Sequence, residues 1–358
     1  MRNCSYCGGD IPEGEKCCPV CSCEQLTPDN SLPLEYLQTS PVPESPLLDL
    51  RAIPEVFRFE EAFSRPDWKV ISQKIAELVS PEDRSQAWVE VVLQWLVQLR
   101  DELGGSYHVT ESSEFFLLSA LDQGDTQRVL AFAERALHAI REQFQDVAWK
   151  GFCGKHVVLL FMDDDDYYQY QAPFLRDGIN VASGGVLLGS GYVHIAISYH
   201  AGRAVRPTLA HELAHNCVAH LPLPLWLNEG VAVRVERFMT RPSEPMLHRE
   251  LADQHRNHWT ETNIQEFWAG ASFGQPGDPQ TLSYSLAEIL VELLTGKHQQ
   301  FLEFMRQAHY RDGGQTAALD CLGLSLGDVA ARFLGPGDWR PYRKALTNIW
   351  RDSEKSEG

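Results

Sequence analysis

The strongest indication of the fold is the sequence His211-Glu212-Leu213-Ala214-His215, followed closely by Leu225-Trp226-Leu227-Asn228-Glu229-Gly230-Val231-Ala232. On a helix, residues four apart share a face, so His211 and His215 can hold one metal ion from the same side. Glu212 then lies beside that ion, where it can take a proton from an attacking water. Glu229 is the candidate third ligand, and three protein ligands leave one coordination position open, as in catalytic zinc sites.

The residues around the two histidines favour a helix. Pro207 suits a first helical turn, where its missing N–H costs nothing. Pro222 and Pro224 then end that helix, and residues 226–237 form a second helical stretch that carries Glu229. Two packed histidines without a metal are the simpler alternative. The residues next to the histidines argue against this alternative, because they are uncharged, as a metal-binding helix packed inside a domain requires. They are Leu209, Ala210, Leu213 and Ala214.

Two other zinc motifs are excluded by spacing. A metzincin needs a glycine three residues and a histidine six residues beyond the second histidine, and those positions hold Val218 and Leu221. The inverted motif HxxEH is absent from the sequence. His220 falls one residue short of the metzincin position, and we interpret it as a helix-end residue rather than a ligand.

These residues resemble the gluzincin metallopeptidases, in which a glutamate is the third zinc ligand. Residues 225–232 are similar to the corresponding motif of the M1 aminopeptidases, but only thirteen residues separate His215 from Glu229. This short spacing looks more like the peptidase MA-like domains. The resemblance covers about residues 106–335 and is specific from Thr208 to Val235. It implies that His211, His215 and Glu229 hold a catalytic zinc and that Glu212 is the general base.

The resemblance also implies a peptide or protein substrate. In gluzincins the edge strand just before the zinc helix pairs with an extended substrate through main-chain hydrogen bonds. Residues 184–189 and 192–197 look like a hairpin, and we expect its second strand, Tyr192 to Ile197, to be that edge. The Gly-Ala-Met-Glu-Asn motif by which M1 aminopeptidases hold a free amine is absent. An endopeptidase is therefore favoured.

The cysteines near the start of the chain predict a second zinc site. Cys4-x-x-Cys7 and Cys18-x-x-Cys21 are separated by ten residues, and two such pairs complete a closed tetrahedral site. This pattern resembles short zinc ribbons, whose metal is structural because so small a unit cannot fold without it. Either Cys17 or Cys23 can replace a neighbour in the second pair. A protein partner for the ribbon is left open.

Composition limits the classes of function. The chain has 358 residues, 44% of them hydrophobic, which is enough for one large domain with appendages. No stretch approaches the ~20 apolar residues that span a membrane, and the start lacks an apolar signal region. Nine cysteines, six of them before residue 24, fit a reducing cytoplasm better than a disulfide framework. The net charge of −18 opposes nucleic-acid binding.

We expect an α+β fold with four parts. Residues 1–24 are the zinc ribbon, 25–56 a mobile proline-rich linker, 57–105 a helical segment, and 106–350 the peptidase MA-like domain with a small mixed sheet, an active-site helix and a helical C-terminal part. The pattern of apolar residues predicts these elements: helices over 57–78, 85–103, 127–144 and 282–294, a strand region over 107–118 interrupted at 111–114, a strand over 157–162, and a turn or helix start at 163–166.

Some residues keep two interpretations. Tyr284 is either an oxyanion-stabilising phenol near the zinc or a core tyrosine, and the sequence does not separate the two. Four histidines without a shared spacing are read as surface residues: His248, His255, His258 and His298. A zinc-bearing but inactive scaffold or protein-binding module is the alternative to a peptidase. A second alternative is a hydrolase that acts on a carbonyl group other than that of a peptide bond.

Overall fold

The computed structural model describes ten stretches of the chain: residues 2–3, 10–11, 42–60, 62–149, 154–174, 184–189, 191–199, 205–240, 248–342 and 346. Their contacts divide the chain into two compact units. The first unit comprises residues 1–139 and 150–216, and the second comprises residues 140–149 and 217–358.

The first unit begins with two separate antiparallel strand pairs: β1 (Arg2–Asn3) with β2 (Asp10–Ile11), and β3 (Phe57–Glu60) with β4 (Phe63–Pro66). A five-stranded mixed sheet follows, with strands β5 (His108–Glu111), β6 (Phe115–Ser119), β7 (His156–Phe161), β8 (Gly185–Leu188) and β9 (His194–Ser198). Their order in the sheet is β5-β6-β7-β9-β8. Strands β6, β7 and β9 run parallel, and β5 and β8 pair antiparallel to the two outer members of this group.

Every residue of the three parallel strands is buried. Central strands covered on both faces read as continuous apolar runs, which is why their sequences do not alternate. Five helices belong wholly or mainly to this unit: α1 (Trp68–Leu78), α2 (Arg84–Leu103), α3 (Gln123–Phe144), α4 (Asp164–Gln171) and α5 (Val205–Val218). One face of α2, including Trp95, Leu96 and Leu99, packs in the same core as Phe116 and Leu159 of the sheet.

The second unit is helical in the residues described. Its helices are α6 (Leu225–Thr240), α7 (Arg249–His258), α8 (Ile264–Ala269), α9 (Asp278–Thr295), α10 (His298–Gln307), α11 (Gln315–Ala317) and α12 (Leu326–Leu334). Its core contains a cluster of aromatic rings around Trp226, which lies edge-on to Trp268 at a centroid distance of 5.4 Å. Phe267 and Phe304 pack around the same indole.

The α+β class is confirmed, and so are most of the predicted elements. The strands β5, β6 and β7 lie where the sequence predicts them, as do helices α2, α3, α5, α6 and α9. Asp163 caps α4 by accepting hydrogen bonds from the backbone of Asp165 and Asp166, so the acidic run is a helix start. In the part of the chain that is described, no helix is both long and apolar enough to cross a membrane.

The predicted helix over residues 57–78 is wrong for its first ten residues. Residues 57–60 and 63–66 pair as the strands β3 and β4, with Phe57 opposite Pro66. Pro66 lacks the N–H that a helix interior needs and disfavours a helical conformation at the preceding residue. The helix begins only after Asp67, whose side chain accepts a hydrogen bond from the backbone N–H of Val70 at 3.1 Å.

The last part of the predicted linker is packed rather than mobile. Leu48, Leu50 and Val56 are buried in a cluster with residues of α1 and α2. The backbone N–H of Leu50 donates to Gln94 Oε1 at 2.9 Å. Despite its prolines, this stretch supplies enough apolar side chains to cover two helices, so it belongs to the folded unit.

The expected edge strand is also corrected. β9, which contains most of the stretch Tyr192 to Ile197, lies between β7 and β8, with Ala196 paired to Leu159 on one side and to Val186 on the other. Within the described sheet, β8 is the edge next to it. The hairpin itself is confirmed, but its first strand is the outer one.

Candidate metal centre

Helix α5 presents the two histidines because its other face is buried. Leu209, Ala210 and Leu213 are fully buried, and Ala214 nearly so. These residues fall at the spacing of one helical face, which leaves His211 and His215 together on another. Their ring centroids lie 4.7 Å apart. The local sequence of α5 is therefore sufficient to place the two imidazole rings side by side.

Helix α6 carries Glu229 on a firmly packed scaffold. Trp226, Leu227 and Val231 are fully buried. The indole N–H of Trp226 donates to the backbone carbonyl of Gly313 at 2.9 Å. Because the first turns of α6 are fixed in the core, the half-buried side chain of Glu229 leaves the helix at a defined position.

Gly230 lets α6 approach α9 closely. A Cβ atom at this position would lie 2.5 Å from the backbone carbonyl oxygen of Ala287, which is shorter than side chains tolerate. Beyond the glycine, Arg234 donates to Glu292 at 2.8 Å, and Arg237 forms an ion pair with Glu288. The glycine next to Glu229 therefore has a packing role that the motif alone does not reveal.

The structure brings His211, His215 and Glu229 together. In the described part of the chain they form a group that could hold a metal ion, and their ligand atoms all lie within 4.8 Å of one another. Two imidazole nitrogens and one carboxylate oxygen are a donor set that zinc takes at about 2.0–2.2 Å, with a fourth position left for water or substrate. The residues thus fit the predicted ion.

Glu212 follows the first of these histidines and is buried, with 8% of its surface exposed. A carboxylate in such a position is a suitable general base, because it can accept a proton from water and deliver it to a leaving group. Since Glu212 lies outside the group of ligand atoms, a proton-transfer role does not compete with a ligand role.

A hydrogen bond between buried side chains ties α5 to the sheet. Asn216 donates from Nδ2 to Nδ1 of His156 on β7 at 2.9 Å. Both residues are buried, and Asn216 directly follows the metal-ligand candidate His215. A buried polar pair of this kind fixes the position of a helix more tightly than apolar packing alone. Neither residue belongs to the HExxH motif, so motif reasoning misses them.

The predicted ribbon ligands lie outside the described residues. Cys4, Cys7, Cys18 and Cys21, as well as the alternatives Cys17 and Cys23, are not among the positions that the structure describes. The structural zinc therefore stays a prediction.

Two further residues that the sequence singles out, His220 and Tyr284, have packed neighbours in the structure. His220 lies just past the end of α5, with its ring 6.1 Å from that of Trp149, in agreement with a helix-end residue. Tyr284 is half-buried and packs edge-on against Phe273 at a centroid distance of 5.2 Å. A role of its hydroxyl at an oxyanion stays one of the two interpretations that the sequence leaves open.

His255 is not the surface residue that the sequence suggests. It is fully buried, and its Nδ1 accepts a hydrogen bond from the indole of Trp259 at 3.0 Å. Nε2 lies 3.0 Å from the Ser285 hydroxyl. Burial lowers the pKa of His255 to about 4, so the ring is neutral at physiological pH. His248 and His298 are exposed, as expected, and His258 is half-buried.

Comparison with known proteins adds no assignment. Neither a scan against models of protein families nor a search of curated proteins finds a match. The resemblance to gluzincins and to peptidase MA-like domains thus rests on the residues of this chain alone.

Proposed function

We propose that this protein is a zinc-dependent metallopeptidase, and specifically an endopeptidase. The observation that carries the proposal is the proximity of His211, His215 and Glu229, with the buried carboxylate of Glu212 next to the first ligand. Two neighbouring histidines are common in protein cores. Their convergence with a carboxylate from the next helix, at motif spacing, is much less expected by chance.

In this proposal, three residues bind the zinc and a fourth transfers the proton. His211, His215 and Glu229 would hold the zinc, which when bound supplies Lewis acidity for the scissile carbonyl and the attacking water. Glu212 accepts the proton of that water as it attacks the carbonyl carbon. It then passes the proton to the amide nitrogen, which leaves as an amine when the C–N bond breaks.

The edge of the sheet supports the proposal that the substrate binds in an extended conformation. Within the described sheet β8 has a neighbour on one side only, namely β9. An edge strand offers unpaired N–H and C=O groups to which a peptide can add as a further strand. We therefore assign substrate pairing to Gly185–Leu188 in place of the strand expected from the sequence. Main-chain pairing along a strand needs no free terminus, which favours cleavage within a chain.

The direct test is proteolysis of a denatured proteome by the purified protein, with Glu212→Gln as the control. We expect new termini with the wild type and a loss of at least about 100-fold in rate with the variant, because the general base contributes 10²–10⁴-fold. Zinc content should be equal in the two proteins. A variant with full activity contradicts the role of Glu212. A zinc-loaded wild type inert towards all peptides supports the inactive scaffold instead.

A further inference from the structure

A cavity of about 410 Å³ lies within the first unit, and no residue of the metal centre lines it. Its walls come from the β3–β4 hairpin, the start of α1, α2, the end of α4 with the turn after it, and β9. Among the described lining residues are Arg58, Arg65, Trp68, Lys69, Tyr170 and His194. Sites for small organic ligands have volumes of about 300–1,000 Å³.

One wall of the cavity is aromatic. Trp68 stacks on Trp88 at a centroid distance of 6.2 Å and meets Trp95 edge-on at 5.3 Å. Gly191 makes this arrangement possible, because a Cβ atom there would overlap the Trp68 indole and because its φ of +94° favours glycine. The indole is therefore held in a fixed orientation, and the half-buried Trp68 is one of the residues that line the cavity.

The lining carries more positive than negative charge. Three cationic side chains, Arg58, Arg65 and Lys69, accompany a single carboxylate, Asp67. Arg58 contacts Asp67 at 2.5 Å, yet two-thirds of the Arg58 side chain stays exposed. Lys69 is exposed and forms no ion pair with any described residue. The chain as a whole has a net charge of −18, so the sign of this local excess is opposite to that of the whole protein.

The guanidinium of Arg65 is fixed against another ring. Its central carbon lies 3.9 Å from the centroid of Phe174, and it donates a hydrogen bond to the backbone carbonyl of Tyr170. A stacked arginine provides a flat, charged surface that also binds planar groups.

The floor of the cavity is polar but neutral. The Tyr170 hydroxyl lies 2.8 Å from Nε2 of His194, and Nδ1 of His194 lies 2.8 Å from the carbonyl of Tyr192. A carbonyl only accepts, so Nδ1 carries the proton and Nε2 accepts from the tyrosine. Burial lowers the pKa of His194 to about 4, which keeps the imidazole uncharged. Among the described lining residues, the positive charge of the cavity therefore comes from the arginines and the lysine alone.

We propose that this cavity binds a small organic anion that has a planar ring. Its phosphate or carboxylate group contacts Lys69 and Arg58, and its ring lies against Trp68. Charge-assisted hydrogen bonds from lysine and arginine suit either anionic group. The aromatic wall distinguishes such a ligand from an inorganic ion. This assignment is independent of the metal centre and of peptidase activity.

The test is isothermal titration of the full-length protein with four probes: phenyl phosphate, benzoate, inorganic phosphate and benzyl alcohol. We expect saturable binding of phenyl phosphate or benzoate, and the stronger of the two identifies the anionic group. Lys69→Gln should weaken it about tenfold, since one charge-assisted hydrogen bond is worth about 1.4 kcal/mol or more. Lys74→Gln is the matched control, because Lys74 is on the same helix and contacts Glu77 outside the cavity.

Several results would overturn the proposal. Equal weakening by Lys69→Gln and Lys74→Gln would mean non-specific attraction to the helix. Inorganic phosphate binding as tightly as phenyl phosphate would exclude a role for the ring, and benzyl alcohol binding as tightly as either anion would exclude a role for the charge. Absence of saturable binding for every probe at millimolar concentration would end the assignment. Glu212→Gln should bind the probes like the wild type, so a failed peptidase assay leaves this test valid.

Discussion

Two buried histidines of this protein differ from those of the candidate metal centre in the partners of their ring nitrogens. His194 and His255 are held neutral by burial and have hydrogen-bond partners at both ring nitrogens, whereas His211 and His215 belong to the group that could hold a metal ion. The difference lies in their surroundings. A ring whose two nitrogens are satisfied by the protein has none left for a metal.

The neutral histidines predict a dependence of stability on pH. The pKa of His255 is about 4 in the folded protein against 6.5 for the free side chain, so the unfolded chain binds more protons between these values. The free energy of unfolding should fall as the pH is lowered from 6.5 to 4, by up to about 3 kcal/mol from this residue. His194 adds a loss in the same window.

Urea denaturation at pH 7 and pH 4.5 measures the effect. His255→Gln, which cannot titrate, should lose less stability than the wild type between the two pH values, whatever its stability at pH 7. His298→Gln is the control, because His298 is exposed. Equal losses in the wild type and His255→Gln would show that His255 does not stay neutral in the fold.

The sequence could have revealed His255 only in part. Trp259 follows His255 by four residues, a spacing that places two side chains on the same face of a helix. The sequence therefore indicates a contact between these two residues. Ser285 comes from α9, thirty residues away. A partner at that separation is fixed by tertiary packing, which no local pattern contains.

At the level of elements, the packing of α6 on α9 positions Glu229. Gly230→Ala would place a methyl group against the Ala287 carbonyl, and a backbone atom cannot turn aside as a side chain can. We expect a loss of stability of about 1–3 kcal/mol and, because Glu229 is the preceding residue, a zinc affinity at least about tenfold weaker.

Thermal denaturation and competition with a zinc-binding dye measure these two effects. Gly296→Ala, at the end of α9, is the matched control, since a Cβ there has only one neighbour, at 3.9 Å. It should keep the zinc affinity of the wild type. If Gly230→Ala also keeps that affinity, the helix contact does not position Glu229.

Elements defined by local patterns were predictable, and those defined by pairing were not. The buried strand β7 and the helices α2, α3 and α9 follow from runs and periodicity in the sequence. The β3–β4 hairpin does not follow from the apolar positions alone, because these also suit a helix that only Pro66 argues against. The inner position of β9 does not follow from local patterns either, because its neighbours are set by register with β7, far away in sequence.

For the whole molecule, the candidate centre was more predictable than the sheet around it. Its candidate residues all lie between positions 211 and 229, where a bound ion would constrain both spacing and residue type. The cavity near α1, in contrast, could not be predicted from the sequence. Its lining extends from Arg58 to His194 and no motif joins these residues, so only the folded chain brings them together.

The central claim is that His211, His215 and Glu229 hold a zinc ion, and zinc content per chain tests it most directly. Elemental analysis of the purified protein should give two zinc ions per chain, one at this centre and one at the predicted ribbon. His211→Ala/His215→Ala should lose one, whereas Cys4→Ser/Cys7→Ser should lose the other and keep the first. A double-histidine variant with the zinc content of the wild type would contradict the account.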